Sequence, residues 1–381
     1  MRLRSYESIV DIPASEWNAL TDGTDPFLRR EFLAALETTG CAVPDTGWHA
    51  RHLVVRDDAG VAIGGVPLYL KDHSYGEFVF DWAWADAYAR AGLAYYPKLI
   101  AAVPFSPVAG PRLLVAHDAP RNAVKSLLIE GARETADRTG ASSLHWLFTT
   151  ESDTEALERA GMLRRAGCQF HWFNRGYRDF DDFLSTFSAD KRKKVKRERR
   201  YVREAGITTE VVTGAAITDR HWDTMYKFHT ATILNHGAPP FLTRAFFRAL
   251  GDTMADSVML VFARHGDDYV GAAMNLRGPD TLYGRYWGCA HDYHSLHFEV
   301  CYYRAIEYCI AQGIACFEGG AQGEHKLARG FVPTPTYSAH WLRHRRFFDA
   351  VAHYVARETA GIGDHISELN EHVPYKRPVG A

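Results

Sequence analysis

Twelve residues late in the chain, Glu318-Gly-Gly-Ala-Gln-Gly-Glu-His-Lys-Leu-Ala-Arg329, gather two carboxylates, an imidazole, an ammonium and a guanidinium around three glycines. Glycines at this density let backbone approach a ligand closely and present N–H groups to an anion. Lys326 and Arg329 place positive charge beside that backbone, while Glu318, Glu324 and His325 are groups able to carry a proton. Together these residue types suit a centre where negative charge grows on an oxygen and a nucleophile must lose a proton. A stretch that only turned the chain would need the glycines and none of the titratable groups.

A second constellation is basic. Between Lys191 and Arg203, helical spacing puts Arg192, Lys196, Arg199, Arg200 and Arg203 on one stripe, with Val195 and Val202 marking a thin apolar seam. Such a stripe suits the phosphates of a tRNA acceptor arm or a nucleotide-linked substrate, or else a solvated helix. Tyr201 is the lone aromatic within it, which argues against base-specific reading. Two further stretches, 69–105 and 283–303, are dense in Tyr, Trp and His among Gly and Pro, as the walls of a cleft or a domain interface are. Polar tips at Lys71, His73, Tyr75, Glu77, Asp81 and Asp86 favour a cleft, lined by 75–110 and 283–330. His291, His294 and His297 recur every three residues, and His340 and His344 are four apart. No Cys or carboxylate completes a tetrahedral set, so no metal is expected and these read as surface histidines. Cys41, Cys168, Cys289, Cys301, Cys309 and Cys316 have no paired spacing and read as reduced thiols.

The elements that must position these groups come in two similar sets. Pro26-Phe-Leu-Arg-Arg-Glu-Phe-Leu-Ala-Ala-Leu36 and Pro240-Phe-Leu-Thr-Arg-Ala-Phe-Phe-Arg-Ala-Leu250 agree at seven of eleven positions, 214 residues apart. Each places apolar residues at helical spacing after a proline. Each is followed by strand, tight turn and strand, at 52–68 and at 258–275. A long helix and a further strand come next, at 123–140 and 143–148 in the first half and at 296–313 and 314–318 in the second. That order is α+β rather than a strict βαβ alternation. The 381 residues exceed what one core of about 250–300 holds, and the expected division is 1–175, a basic helical connector over 176–215, and 216–381. Charged residues at 24% and a net charge of −2 exclude a disordered chain and a whole-chain polycation. No apolar run reaches the ~18 residues of a membrane span. The first residues lack the apolar core of a signal peptide, so the expected location is cytoplasmic.

The element order, twice over, is similar to the GNAT (acyl-CoA N-acyltransferase) fold in tandem, as in the Fem-type aminoacyl transferases of peptidoglycan synthesis. Phe80-Asp81-Trp82-Ala-Trp84, Tyr95-Tyr96-Pro97-Lys98-Leu99, Leu282-Tyr283-Gly284-Arg285-Tyr286-Trp287-Gly288 and Phe317–Lys326 resemble the bacterial Fem-like predicted N-acyltransferases. The resemblance implies an enzyme that moves an acyl or aminoacyl group to the amine of a small molecule or peptide. It implies acyl-CoA or aminoacyl-tRNA as co-substrate and no tightly bound cofactor. Lys326-Leu-Ala-Arg329-Gly330-Phe331 resembles the family's stretch of Lys, two to four residues, then Gly-Phe, which makes Lys326 a holder of the donor near its carbonyl, with Glu318, Glu324 and His325 beside it. Asp81, Trp82, Lys98, Arg285, Tyr286, Trp287, Gln322 and Arg329 are the implied substrate contacts. The glycine-bearing phosphate signature of GNAT proteins is missing before the 296 helix, where 289–299 holds no glycine, and this favours a Fem-type donor over acetyl-CoA. The alternative is a non-catalytic tandem module that binds a peptidoglycan precursor or peptide. A site lysine on a turn is expected to carry little core packing.

Overall fold

The computed structural model describes residues 1–376 except Asp22, Thr24, His236 and Gln322. The chain divides into two compact units, Met1–Cys168 with Pro335–His365, and Gln169–Thr334 with the described residues from Ile366 on. The first departs from the expected continuous half by taking in 335–365. Two contacts explain this. The strand Val332–Leu342 pairs through Tyr337–Leu342 with Ser143–Thr149 in an antiparallel ladder, and Val351 and Val355 of the helix Arg345–Glu371 pack on Trp84, Tyr88 and Tyr95.

In unit 1 the hairpin His52–Arg56 and Ala62–Val66 lies in a four-stranded sheet with Arg2–Tyr6 and Leu114–Val115. Helix Arg121–Thr139 buries Val124, Leu128, Ala132 and Ala136, a four-residue repeat along one face, against Leu53, Val55, Val66 and Leu144. The helix comes so close that a Cβ at Gly64 would meet Val124 Cγ1 at 2.4 Å. Further strands run Trp48–Ala50, Leu68–Lys71, Lys98–Ala101 and Ser143–Thr149, the last two paired parallel.

Unit 2 repeats the order of helix and hairpin. Helix Arg244–Met254 precedes Val258–His265 and Asp268–Arg277, which continue into Thr281–Cys289 as an antiparallel meander. Successive side chains of Thr281–Cys289 face opposite ways. A Cβ at Gly288 would meet Phe228 O of helix Asp219–Asn235 at 2.1 Å, whereas the Trp287 ring lies 5.1 Å from His297 of the helix beginning at Leu296. That second helix runs to Gln312, and its Glu299–Tyr303 turn is a π-helix. Among the described residues no helix is long and apolar enough to cross a membrane.

Candidate functional site

Two parallel strands part in unit 2, and the site lies where they do. Thr281–Tyr283 pairs with Cys316–Glu318, and the pairing stops at Tyr283 and Glu318. Thr281–Cys289 continues along its other neighbour, while the second strand breaks into glycines, with Gly320 at φ 88. A bulge opposite Met274 and Asn275 leaves Arg285 as the extra residue, a device that re-aims a side chain. Between the parted strands is a cavity of about 110 Å³, walled by Asn275, Gly284–Trp287, His297, Cys301, Tyr302, Gly319 and Gly320. Gly320 belongs there for its left-handed backbone, while a Cβ would sit at an ordinary contact distance, 3.6 Å, from Gly284 O across the gap.

Positive charge gathers at this cavity. Lys326 lies on the 3₁₀ turn Glu324–Arg329 and is 2% exposed, so the expectation of a lysine with little packing is corrected. Its ammonium donates to Gly320 O at 2.8 Å. Burial pulls its pKa down to about 8, with Cys301 opposing the shift and Arg285 adding to it. Burial also holds the Arg285 guanidinium below its usual value, while Tyr286 and Glu318 pull the other way. Glu318 is buried at the last residue of its strand, opposite His171 of the neighbouring strand. His171 and His297 are both held near pKa 4, first by burial and then by their cationic neighbours, Lys326 among them. Both are neutral at pH 7. The Tyr302 hydroxyl lies 3.0 Å from His325 Nε2. Burial pushes the Tyr302 phenol up, and burial with Arg329 and Lys326 pulls His325 down. His325 and Glu324 are exposed.

Other residues singled out from the sequence have different surroundings. Arg329 is buried, donating to Glu198 at 2.6 Å and to His325 O at 2.6 Å, with its guanidinium 3.5 Å from the centre of the Phe298 ring. The basic run forms helix Ala189–Glu204, whose inward face carries Val195, Glu198, Arg199 and Val202. Arg199 is bonded to Glu299 at 2.9 Å and Glu307 at 2.6 Å, tying this helix to the one that bears Cys301 and Tyr302. Lys196 and Arg200 pair with Asp181 and Glu204 at the surface, Arg203 is exposed, and Arg192 donates to Phe187 O. Lys196, Arg199 and Arg203 line a hollow of about 610 Å³ with Arg178, Asp181 and Glu307.

Asp81, Trp82 and Lys98 come together in unit 1. Lys98 is fully buried and donates to Glu77 and Ser74, each at 2.7 Å, and to Asp81. Trp82 is 42% exposed. Gln322 lies outside the described residues. His340, read from sequence as a surface histidine, is 1% exposed on a strand and hydrogen-bonded to His145, a correction that follows from the Val332–Leu342 pairing. Sequence reasoning passed over Asn275 and Tyr302. Asn275 left a signal, a polar residue at the end of the apolar run Val270–Met274; Tyr302 falls in the 283–303 stretch read as a cleft wall, with nothing to single it out there.

The sequence matches the FemAB-like family, described as peptidoglycan biosynthesis and recognition, over residues 8–377. The solved structure of FemX is similar at 11% identity and TM-score 0.55, with 92% of this chain and 100% of that chain covered. The C-terminal domain of a putative lysylphosphatidylglycerol synthetase from Agrobacterium fabrum is similar at 11% identity and TM-score 0.53, covering 90% and 96% of the two chains. A tandem GNAT protein from the clavulanic acid pathway is found at 13% identity and TM-score 0.44, covering 90% and 98%. No curated protein matches the sequence. At such identities the likeness is one of fold, that of an α+β chain of two GNAT-like domains in tandem.

Proposed function

We propose that this chain, which belongs to the FemAB-like family of peptidoglycan biosynthesis and recognition, transfers an acyl or aminoacyl group from an activated donor to an amine. The observation that carries this reading is the gap between the parted strands, with a cavity at its floor and the Lys326 ammonium at its glycine rim. An acyl group laid in that gap has its carbonyl beside two cationic side chains, Arg285 and Lys326. As the amine attacks, negative charge grows on the carbonyl oxygen, and fixed positive charge in a dry site stabilises it more than water would.

Two protons must then move. The amine nitrogen must lose one, and Glu318, a buried carboxylate where the strands part, is the base assigned to it in this reading. The leaving sulfur or oxygen must gain one. Tyr302, its phenol kept protonated by burial, donates and is recharged from solvent through His325, which is exposed 3.0 Å away. His297 is a weak base near pKa 4 and serves as a neutral wall. Glycine is missing where GNAT proteins grip pyrophosphate, which favours an aminoacyl-tRNA donor over acyl-CoA. The exposed basic residues Lys196, Arg200 and Arg203 offer contacts for its phosphates. The acceptor is an amine on a small molecule or peptide of the cell-wall precursor type.

The test is to incubate the protein with charged tRNA mixtures or acyl-CoA mixtures, each with and without amine acceptors. Acceptor-dependent loss of the labelled acyl group from either donor is the expected result. A non-catalytic binding module would leave every donor intact.

A further inference from the structure

Unit 1 holds a buried line of polar contacts that takes no part in the chemistry assigned to unit 2. Lys98 bridges Glu77 and Asp81, and Tyr95 donates its hydroxyl to the same Asp81 oxygen at 2.6 Å. His145 Nε2 lies 3.2 Å from the Tyr95 oxygen and 2.8 Å from Ser143 Oγ. His145 Nδ1 then faces His340 Nδ1 across 2.8 Å, and Ser338 Oγ lies 2.9 Å from His340 Nε2. The two histidines sit opposite one another in the antiparallel ladder, each 1% exposed.

The direction of each bond follows from what each group can do. An ionised Asp81 only accepts, so the Tyr95 proton points toward it. His145 Nε2 then either donates to the Tyr95 oxygen, leaving Nδ1 bare, or accepts from the closer Ser143 hydroxyl, with the ring's proton on Nδ1. His340 takes the opposite tautomer in either case, and the Ser338 hydroxyl can serve its Nε2 as donor or acceptor. The gap between the rings holds one proton. A second would set two N–H donors head to head between two buried rings.

Three residues of one segment bear on this pair. The Trp84 ring lies 5.0 Å from His340 and 6.0 Å from His145, Tyr95 is bonded to His145, and Asp81 is reached through Tyr95. The same segment displays Tyr75, Phe78, Phe80 and Trp82 at the surface, 39–58% exposed, and Phe78 has φ 62, a region costly for a residue with a Cβ. We infer that the His145–His340 pair is an acid-sensitive latch: a further proton on it releases the 75–95 segment while the strands around it stay paired.

The charged and titratable groups facing the pair come from every element packed on it. Burial holds both rings well below the usual histidine value; Lys98 and Arg165 add to this, and Asp81 works against it at His340. Arg165 is itself paired with Glu358 at 2.6 Å. The open form, with ordinary histidines, therefore binds protons that the closed form refuses, and the latch weakens as pH falls below about 6.5. Glu77 opposes this, because burial raises its carboxyl to about 7 in the closed form. Two histidines against one carboxylate leave a net uptake that grows to about one proton by pH 5.5, or roughly a fourfold rise in the open population between pH 6.5 and 5.5.

Hydrogen exchange of the full chain at about pH 6.5 and 5.5, corrected for intrinsic rates, reads this directly. Protection over 75–95 is expected to fall about fourfold relative to the 258–277 hairpin, and His340→Gln, which cannot take the proton, is expected to lose most of that response. Equal protection at both pH values overturns the latch, and so does an undiminished response in His340→Gln. Imidazole nitrogen spectra of the unaltered protein give a second readout that needs no variant. Two neutral rings with opposite tautomers at about pH 6 support the latch, and a charged ring there overturns it.

Discussion

Two buried lysines, one in each unit, meet opposite electrostatic surroundings. Lys98 sits between Glu77 and Asp81 with Ser74 as third acceptor, and although burial opposes it, the two carboxylates raise its pKa above the usual value. Lys326 donates to a backbone carbonyl beside Arg285, and burial takes it down to about 8. The difference is one of what the charge is for. A lysine whose donors are met by two carboxylates and a hydroxyl holds a fold together. Under the proposed function, a lysine carried at a cost, bonded to the glycine rim of a cavity, meets the negative charge that arrives with the substrate.

The largest effect expected of this contrast is on stability, and it belongs to Lys98. Lys98→Met keeps the volume but leaves two carboxylates buried without their cation. Such a loss typically costs about 3–5 kcal/mol, read as a lower urea midpoint. The same substitution at Lys326 should cost much less stability, since no carboxylate is stranded at its ammonium's acceptor, the Gly320 carbonyl. Equal losses from the two variants would dissolve the comparison.

A smaller effect lies in the pH dependence of unit 1. Glu77 has a folded value of about 7 against an ordinary 4.5, so the folded protein binds a proton that the unfolded chain gives up. The stability it contributes is full below 4.5 and is lost as pH rises to about 7. In Glu77→Gln that loss is absent. The variant's stability relative to the parent should therefore climb with pH through this window, by at most about 1.4 kcal/mol per unit. A flat difference would mean that Glu77 is ionised at all these pH values.

The mildest expectation sharpens the role of Lys326. If turnover needs its charge, kcat/KM falls on the alkaline side with a midpoint near the lysine's value of about 8. Lys326→Arg keeps its charge far above that, so whatever activity survives should lose this limb, even though a planar fork fits the turn poorly. An unchanged alkaline limb in Lys326→Arg would assign it to another group.

Much of the scaffold was legible because it is local. The repeated Pro-Phe-Leu…Arg…Phe…Ala-Leu pattern marks helices at Arg30–Thr38 and Arg244–Met254, and the hairpins after them follow alternating apolar runs. Helix Ala189–Glu204 followed from its spacing, down to the seam of Val195 and Val202. What spacing could not carry is contact at a distance. Arg199 is on the expected stripe, yet Glu299 and Glu307, a hundred residues on, turn it inward. Arg329 looks like a ligand contact until Glu198 is brought beside it. The parting of the strands after Tyr283 and Glu318 depends on a parallel pairing across a whole helix, and the π turn that sets Cys301 and Tyr302 at the cavity has no sequence signature. The cluster around Lys326 was visible because glycines and charges crowd into twelve adjacent residues.

The central claim is that the gap at Gly320 is where the acyl group reacts, with Lys326 as its charge. The measurement that bears on it most directly is the rate of acyl release from the donor in Lys326→Met against the parent, with folding checked on the same samples. The account predicts a folded variant slowed about 10²–10³-fold, the usual consequence of removing one fixed contact to a forming oxyanion. A folded Lys326→Met that releases the acyl group within about twofold of the parent rate, against that expectation, would contradict it.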